Sequence, residues 1–173
     1  FGWLGRWVTG KPVTPFLDAT ADGSVALRVF GPHKVGSSNS NYEILNGRVA
    51  DQNVIYYSYI PEYPDSIIHK LVSRGYGTAV FHGLNGKLFN LREAYTAQGV
   101  ARLFFKEELL EAGYRASSRV MKHVLDEGVL DMAAQQLTTG KRQAQFIVTM
   151  TSHLPFLDPA PEVAEPGGTF SSD

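Results

Sequence analysis

From Asp65 to Phe81 the chain reads as helix, glycine, short apolar strand, and no other stretch constrains the fold as much. Ile67, Ile68, Leu71 and Val72 fall on one helical face, Asp65 can cap the start, and Gly75 terminates near Arg74. Tyr76 to Phe81 then reads as a buried strand, so the pair looks like an αβ unit of a parallel sheet.

Two further strand candidates follow, Arg102 to Phe105 and Gln145 to Thr151, the second with a β-branched centre and no helical spacing. Helices are expected between them. Leu91 to Gln98 and Glu107 to Glu111 are short; Ser117 or Ser118 caps one carrying Val120, Met121, Val124 and Leu125 to Gly128; Asp131 caps another reaching Thr139 before Gly140. The alternation implies an α/β fold, a mostly parallel sheet flanked by helices. Upstream, Thr14 to Ala21 suits a short helix with Pro15 at its first position, and Ser24 to Phe30 alternates as a strand. Phe1 to Thr9, with Trp3 and Trp7, fits a helix face or a surface loop equally.

Other segments admit two readings. Val54 to Ile60 has strand propensity, but Pro61 and Pro64 favour an extended loop nearly as well. Asn85-Gly86 could close a hairpin between Ala79 to His82 and Lys87 to Phe89.

A chain of 173 residues suits one domain and one core. Its net charge of −1 offers no polycationic face, which disfavours nucleic acid as a partner. The absence of cysteine removes disulfides and thiolate metal sites without fixing a compartment. No run of about 18 apolar residues could span a bilayer. After Phe156 the composition shifts to Pro, Glu, Gly and Ser, so the expected division is a domain over 1–156 and a mobile tail or cut loop over 157–173.

Chemistry concentrates at three places. Lys34 to Gly47 sets a serine cluster before a plausible helix, where backbone amides and the helix dipole suit a phosphate or sulfate. Ser37 or Ser38 could then act as nucleophile; alternatively, Ser38 or Asn39 simply caps a helix ending at Asn46, with Gly47 as terminator. His82 and His153 stand just beyond two predicted strands, on the sheet edge where α/β proteins place ligands.

These stretches occur together in an order that resembles the lipoteichoic acid synthase-like phosphoglycerol transferases, within the alkaline phosphatase and sulfatase superfamily. Val13 to Asp18 is similar to that family's "TPNLD", and Val35 to Tyr42 resembles its "GKTSDSEF" with serine in place of threonine. Gly75 to Asn90, GYGTAVFHGLNGKLFN, resembles "GYxTxFFHGxNGSFWN", and Phe146 to Phe156, FIVTMTSHLPF, resembles "FxxTMSNHFPF". The likeness runs from about Val13 to Phe156 and implies a central segment of a sulfatase-like α/β domain.

The resemblance implies a metal-dependent phosphotransferase or phosphohydrolase acting on phospholipid headgroups, of phosphoglycerol or phosphoethanolamine transfer type. Ser37 matches its nucleophile and metal-ligating residue; His82 and His153 match headgroup-binding histidines; Phe89 matches a pocket tryptophan. The family's arginine falls at Leu91, leaving Arg92 beside it. One divalent ion is implied, manganese or magnesium, with zinc as an alternative. Its acidic and Asp-His ligands have no counterpart in this chain, so the chain is expected to bind metal weakly. The implied setting is the extracytoplasmic face of a bacterial membrane or the periplasm, with membrane attachment through segments absent from this chain. Formylglycine sulfatases want proline and arginine two and four residues past the nucleophile; Asn39 and Asn41 stand there, which disfavours sulfate esters. The alternative is a degenerate sulfatase-like domain that binds or scaffolds without catalysis.

Overall fold

The strand Gly77–His82 sits in the middle of a three-stranded parallel sheet and is buried at every position after Gly77. The computed structural model describes residue 10 and residues 36–151, apart from 52, 60–62, 64 and 118–121. By contacts the chain divides into Phe1–Pro32 and His33–Asp173, and every element described here belongs to the second unit. In chain order these are α1 (Ser37–Asn46), α2 (Tyr56–Tyr59), α3 (Ile67–Val72), β1 (Gly77–His82), α4 (Leu91–Ala97), β2 (Arg102–Phe104), α5 (Lys106–Glu111), α6 (Asp126–Gln135) and β3 (Gln143–Val148). A 3-10 turn, Leu88–Asn90, precedes α4. The helix expected over 14–21, the strand over 24–30, His153 and the tail over 157–173 lie outside the described residues.

The sheet order is β2-β1-β3, with Val80 opposite Leu103 and Phe146. Side chains alternate across a strand, so each strand feeds two cores. Val80, Leu103 and Phe146 join Tyr42, Leu45, Tyr57, Ile68 and Tyr95 from α1 to α4. Ala79, Phe81, Phe104 and Ile147 join Leu109, Val129, Met132 and Ala133 from α5 and α6. Helices therefore cover both faces, as a parallel sheet requires. Phe81 lies stacked on Phe104 at 4.8 Å between centroids, and burying such a ring contributes about 1.5–3 kcal/mol.

Several boundaries differ from expectation for local reasons. Ser66, not Asp65, caps α3: its Oγ accepts the Ile68 N–H at 3.2 Å and donates to Gln98 Oε1 at 3.0 Å, while Asp65 pairs with Arg48. Residues 56–59 form a helical turn instead of a strand or extended loop, because Asn39 Oδ1 accepts the Tyr56 N–H and the rings of Tyr56 and Tyr57 pack against Tyr42. Asn85-Gly86 makes no hairpin: Asn85 Oδ1 accepts the Lys87 N–H at 2.8 Å, turning the chain into the 3-10 segment. Of the two helices expected after Ser117, the first falls partly on residues 118–121, outside the described ones, and 122–125 are not helical; α6 covers Asp126–Gln135 with Asp131 inside it instead of capping it, and Val124 bridges Ala116.

Candidate active site

Parallel strands all present their carboxyl ends at one edge, and here β1 ends in His82. His82 is 4% exposed. Its Nδ1 accepts the Leu84 N–H at 3.2 Å, so in the neutral ring the proton sits on Nε2, leaving that nitrogen as the donor. The imidazole stacks near the buried Phe105 ring, 6.1 Å between centroids and 29° between planes. Two backbone contacts hold this corner: Lys106 N–H donates to Leu84 O at 3.0 Å, and Val124 N–H to Gly83 O at 2.9 Å.

The turn after His82 carries the next candidates. Phe89 and Asn90 both adopt left-handed backbone angles, with φ of 52° and 60°, a strained choice for an aromatic residue. The turn leaves Phe89 40% exposed, an aromatic surface beside the sheet's carboxyl edge. Asn90 Nδ2 donates to Tyr57 O at 3.3 Å. Arg92, in the first turn of α4, lies over Phe105 with Cζ 4.9 Å from the ring centroid and pairs with Glu108 Oε1 at 2.7 Å and Glu107 Oε2 at 3.5 Å. Its guanidinium is thus matched by carboxylates of α5.

The serine cluster forms the opening turn of α1 and does not precede it. Gly36, at φ 101°, is the cap; it has no side chain to close the turn, and no acidic residue follows in that turn. A helix start of this kind carries amide donors and partial positive charge. Ser37 is exposed there, whereas Ser38 is 9% exposed with no hydrogen-bond partner for Oγ among the described residues. Gly47 ends the helix as expected, its N–H donating to Glu43 O at 2.9 Å.

Asn39, expected as a possible cap, lies inside α1 and anchors this turn. Its Nδ2 donates to Val54 O at 2.8 Å and Asp51 O at 3.2 Å, and its Oδ1 accepts from Tyr56 N at 3.3 Å. Through α2 and Asn90, the turn bearing Ser37 is therefore bonded in steps to the turn bearing Phe89. Asp126 was also missed: its carboxylate accepts the Met150 and Thr151 N–H groups at the exit of β3. The only sequence signal for it was an acidic residue where α6 begins. Glu107 and Glu108 were read as helix formers, and nothing local marked them as partners of Arg92.

Among the described residues no three of His, Cys, Asp or Glu converge where they could hold a metal ion. The donors described do not fit a divalent phosphotransfer centre. Among the same residues, no helix is long and apolar enough to cross a membrane.

The family model described as Sulfatase matches residues 8–171. A lipoteichoic acid synthase, LtaP from Listeria monocytogenes, superposes with a TM-score of 0.65 at 15% identity, over 85% of this chain and 36% of that one. The Streptococcus pyogenes phosphoglycerol transferase GacH, solved with sn-glycerol-1-phosphate, gives 0.67 at 16% identity, over 88% of this chain and 41% of that one. An alkaline phosphatase superfamily protein from Vibrio parahaemolyticus gives 0.54 at 16% identity, over 73% and 31%. At these identities the likeness establishes the fold, and the chain spans well under half the length of each neighbour. No curated relative matches the sequence.

Proposed function

Because this chain belongs to the sulfatase family, we propose that it carries the nucleophile and part of the phosphate wall of an enzyme that transfers or hydrolyses phospholipid headgroups. The observation that carries this reading is the open start of α1 with Ser37 in its first turn, tied by Asn39, α2 and Asn90 to the turn that follows His82. The phosphate ester bound in one solved neighbour supports the substrate class.

In the proposed reaction Ser37 Oγ bonds to phosphorus as the bond from phosphorus to the lipid oxygen breaks, and the hydroxyl proton ends on that lipid oxygen. A hydroxyl of the acceptor, or water, then displaces Ser37 and restores its proton. His82, donating from Nε2, and His153 orient phosphate oxygens, while Phe89 offers an aromatic wall. A serine ionises far above neutral pH, so manganese or magnesium would supply the electrophile this family's chemistry draws on; the described donors do not form its site. Sulfate esters remain the poorer substrate, since Asn39 and Asn41 stand where formylglycine sulfatases want proline and arginine. The setting we propose is the outer face of a bacterial membrane.

Arg92 stands beside the family's arginine position, but two carboxylates already match it. That pairing favours a second reading, a sulfatase-like domain that binds without catalysis. Headgroup turnover by the product of the complete reading frame separates the two. The enzyme reading expects turnover that Ser37→Ala lowers by several orders of magnitude; equal turnover by Ser37→Ala removes Ser37 from the mechanism, and none in either protein favours the binding domain.

A further inference from the structure

The geometry points to Arg92 and Glu108 as positioning residues that fix the His82 imidazole through the ring of Phe105, in place of contacting the headgroup themselves. Four contacts make the clamp. Glu108 Oε2 accepts the Phe105 N–H at 2.9 Å and an Arg92 Nη2 hydrogen at 2.9 Å, so one carboxylate holds both the backbone and the cation. Arg92 Cζ lies 4.9 Å from the Phe105 centroid, and His82 stacks near the same ring.

The space around the ring leaves little freedom. Gly86 lies so close that a Cβ there would come within 2.9 Å of both Arg92 Nε and Phe105 Cδ2. The Arg92 N–H donates to Gly86 O at 2.9 Å, and the Gly86 N–H to Glu107 Oε2 at 3.3 Å. A planar guanidinium with two carboxylate partners over an aromatic face is a rigid arrangement that lysine cannot reproduce. Because the trio of Arg92, Glu107 and Glu108 carries one positive and two negative formal charges, its sum is −1, and it offers no spare cation to a phosphate.

The consequence concerns His82. Its Nδ1 acceptor bond to Leu84 N–H selects one tautomer, and a packed Phe105 keeps the ring in the orientation that bond needs. Loosening the clamp lets the imidazole sample both tautomers. That this matters for phosphate handling rests on the role proposed for His82 above.

The test is nitrogen-detected NMR of the histidine rings in the 173-residue chain above neutral pH, with the His82 signals assigned by their loss in His82→Gln. The expected result is a single Nε2–H pattern in the unaltered chain, shifting towards averaged ring nitrogens in Arg92→Met and in Glu108→Ala, with Arg92→Lys no better than Arg92→Met. Backbone amide signals of β1, β2 and β3 report whether each variant keeps its fold; should Arg92→Met lose it, Arg92→Lys is read in its place. An unchanged His82 pattern in a folded Arg92 variant overturns the clamp. A loosened His82 with undiminished headgroup turnover leaves the clamp standing and removes His82 from the proposed function.

Discussion

Asp126 and Thr151 bond each other reciprocally: the Thr151 N–H donates to Asp126 Oδ1 at 3.0 Å, and the Asp126 N–H donates to Thr151 Oγ1 at 3.2 Å. Met150 N–H adds a third bond to the same oxygen at 2.6 Å. The first turn of α6 thereby holds the chain leaving β3. Asp126→Ala leaves part-buried N–H groups without an acceptor, a loss of about 1–3 kcal/mol. Urea unfolding should show a lower midpoint with an unchanged slope, and amide exchange at 150 and 151 should speed up more than exchange within β1. Equal protection at 150 and 151 would contradict the role given to Asp126.

Gly83 has a purely steric reason to be glycine. A Cβ there would stand 2.6 Å from the Val124 carbonyl oxygen, a backbone atom that cannot turn aside, whereas one at Gly77 would meet nothing closer than 3.9 Å. Gly77 opens β1 and Gly83 follows it, and the unfolded-state effect of alanine is shared. Gly83→Ala is expected to cost about 1–3 kcal/mol and Gly77→Ala far less, read from paired denaturation curves. Equal midpoints for the two variants would contradict the steric role given to Gly83.

How much of this was legible in the sequence depended on whether the signal was local. The unit from Asp65 to Phe81 could be read, apart from its cap, because apolar spacing, a terminating glycine and a buried strand are properties of neighbouring residues. The parallel α/β class followed from that. The turn at 56–59 could not be read, since its conformation is set by Asn39 from 17 residues away and by packing on Tyr42. Likewise Asp131 looked like a cap only because the bonds from Asp126 to Met150 and Thr151 were invisible in one dimension. At the candidate site His82 was legible from its place at the carboxyl end of a predicted strand, although it closes β1 and does not lie beyond it. The pairing of Arg92 with Glu107 and Glu108 was not, because it joins α4 to α5 across the sheet edge.

The tyrosine cluster gives the fold an alkaline limit. Burial, then the neighbouring Tyr42, pushes the Tyr63 hydroxyl up to about 12, and burial pushes those of Tyr57 and Tyr95 higher still. Folded values above the ordinary 10.0 mean that the unfolded chain releases these protons first. Stability from this source is therefore complete below about pH 10 and declines as pH rises from there through 12. Phenolate absorbance should show the buried tyrosines ionising only with loss of structure. A urea midpoint that stays level from pH 9 to 12 would contradict the packing described around Tyr57.

Ser37 is the centre of the functional account, and it makes a covalent claim. The product of the complete reading frame, mixed with a phosphatidylglycerol or phosphatidylethanolamine substrate and quenched in acid within a turnover, should yield a peptide spanning 36–48 heavier by the headgroup phosphate, with the added mass on Ser37. Ser38, buried in the same turn, should carry none. Substrate turnover with the added mass on Ser38, or with no added mass anywhere in that peptide, would contradict the account.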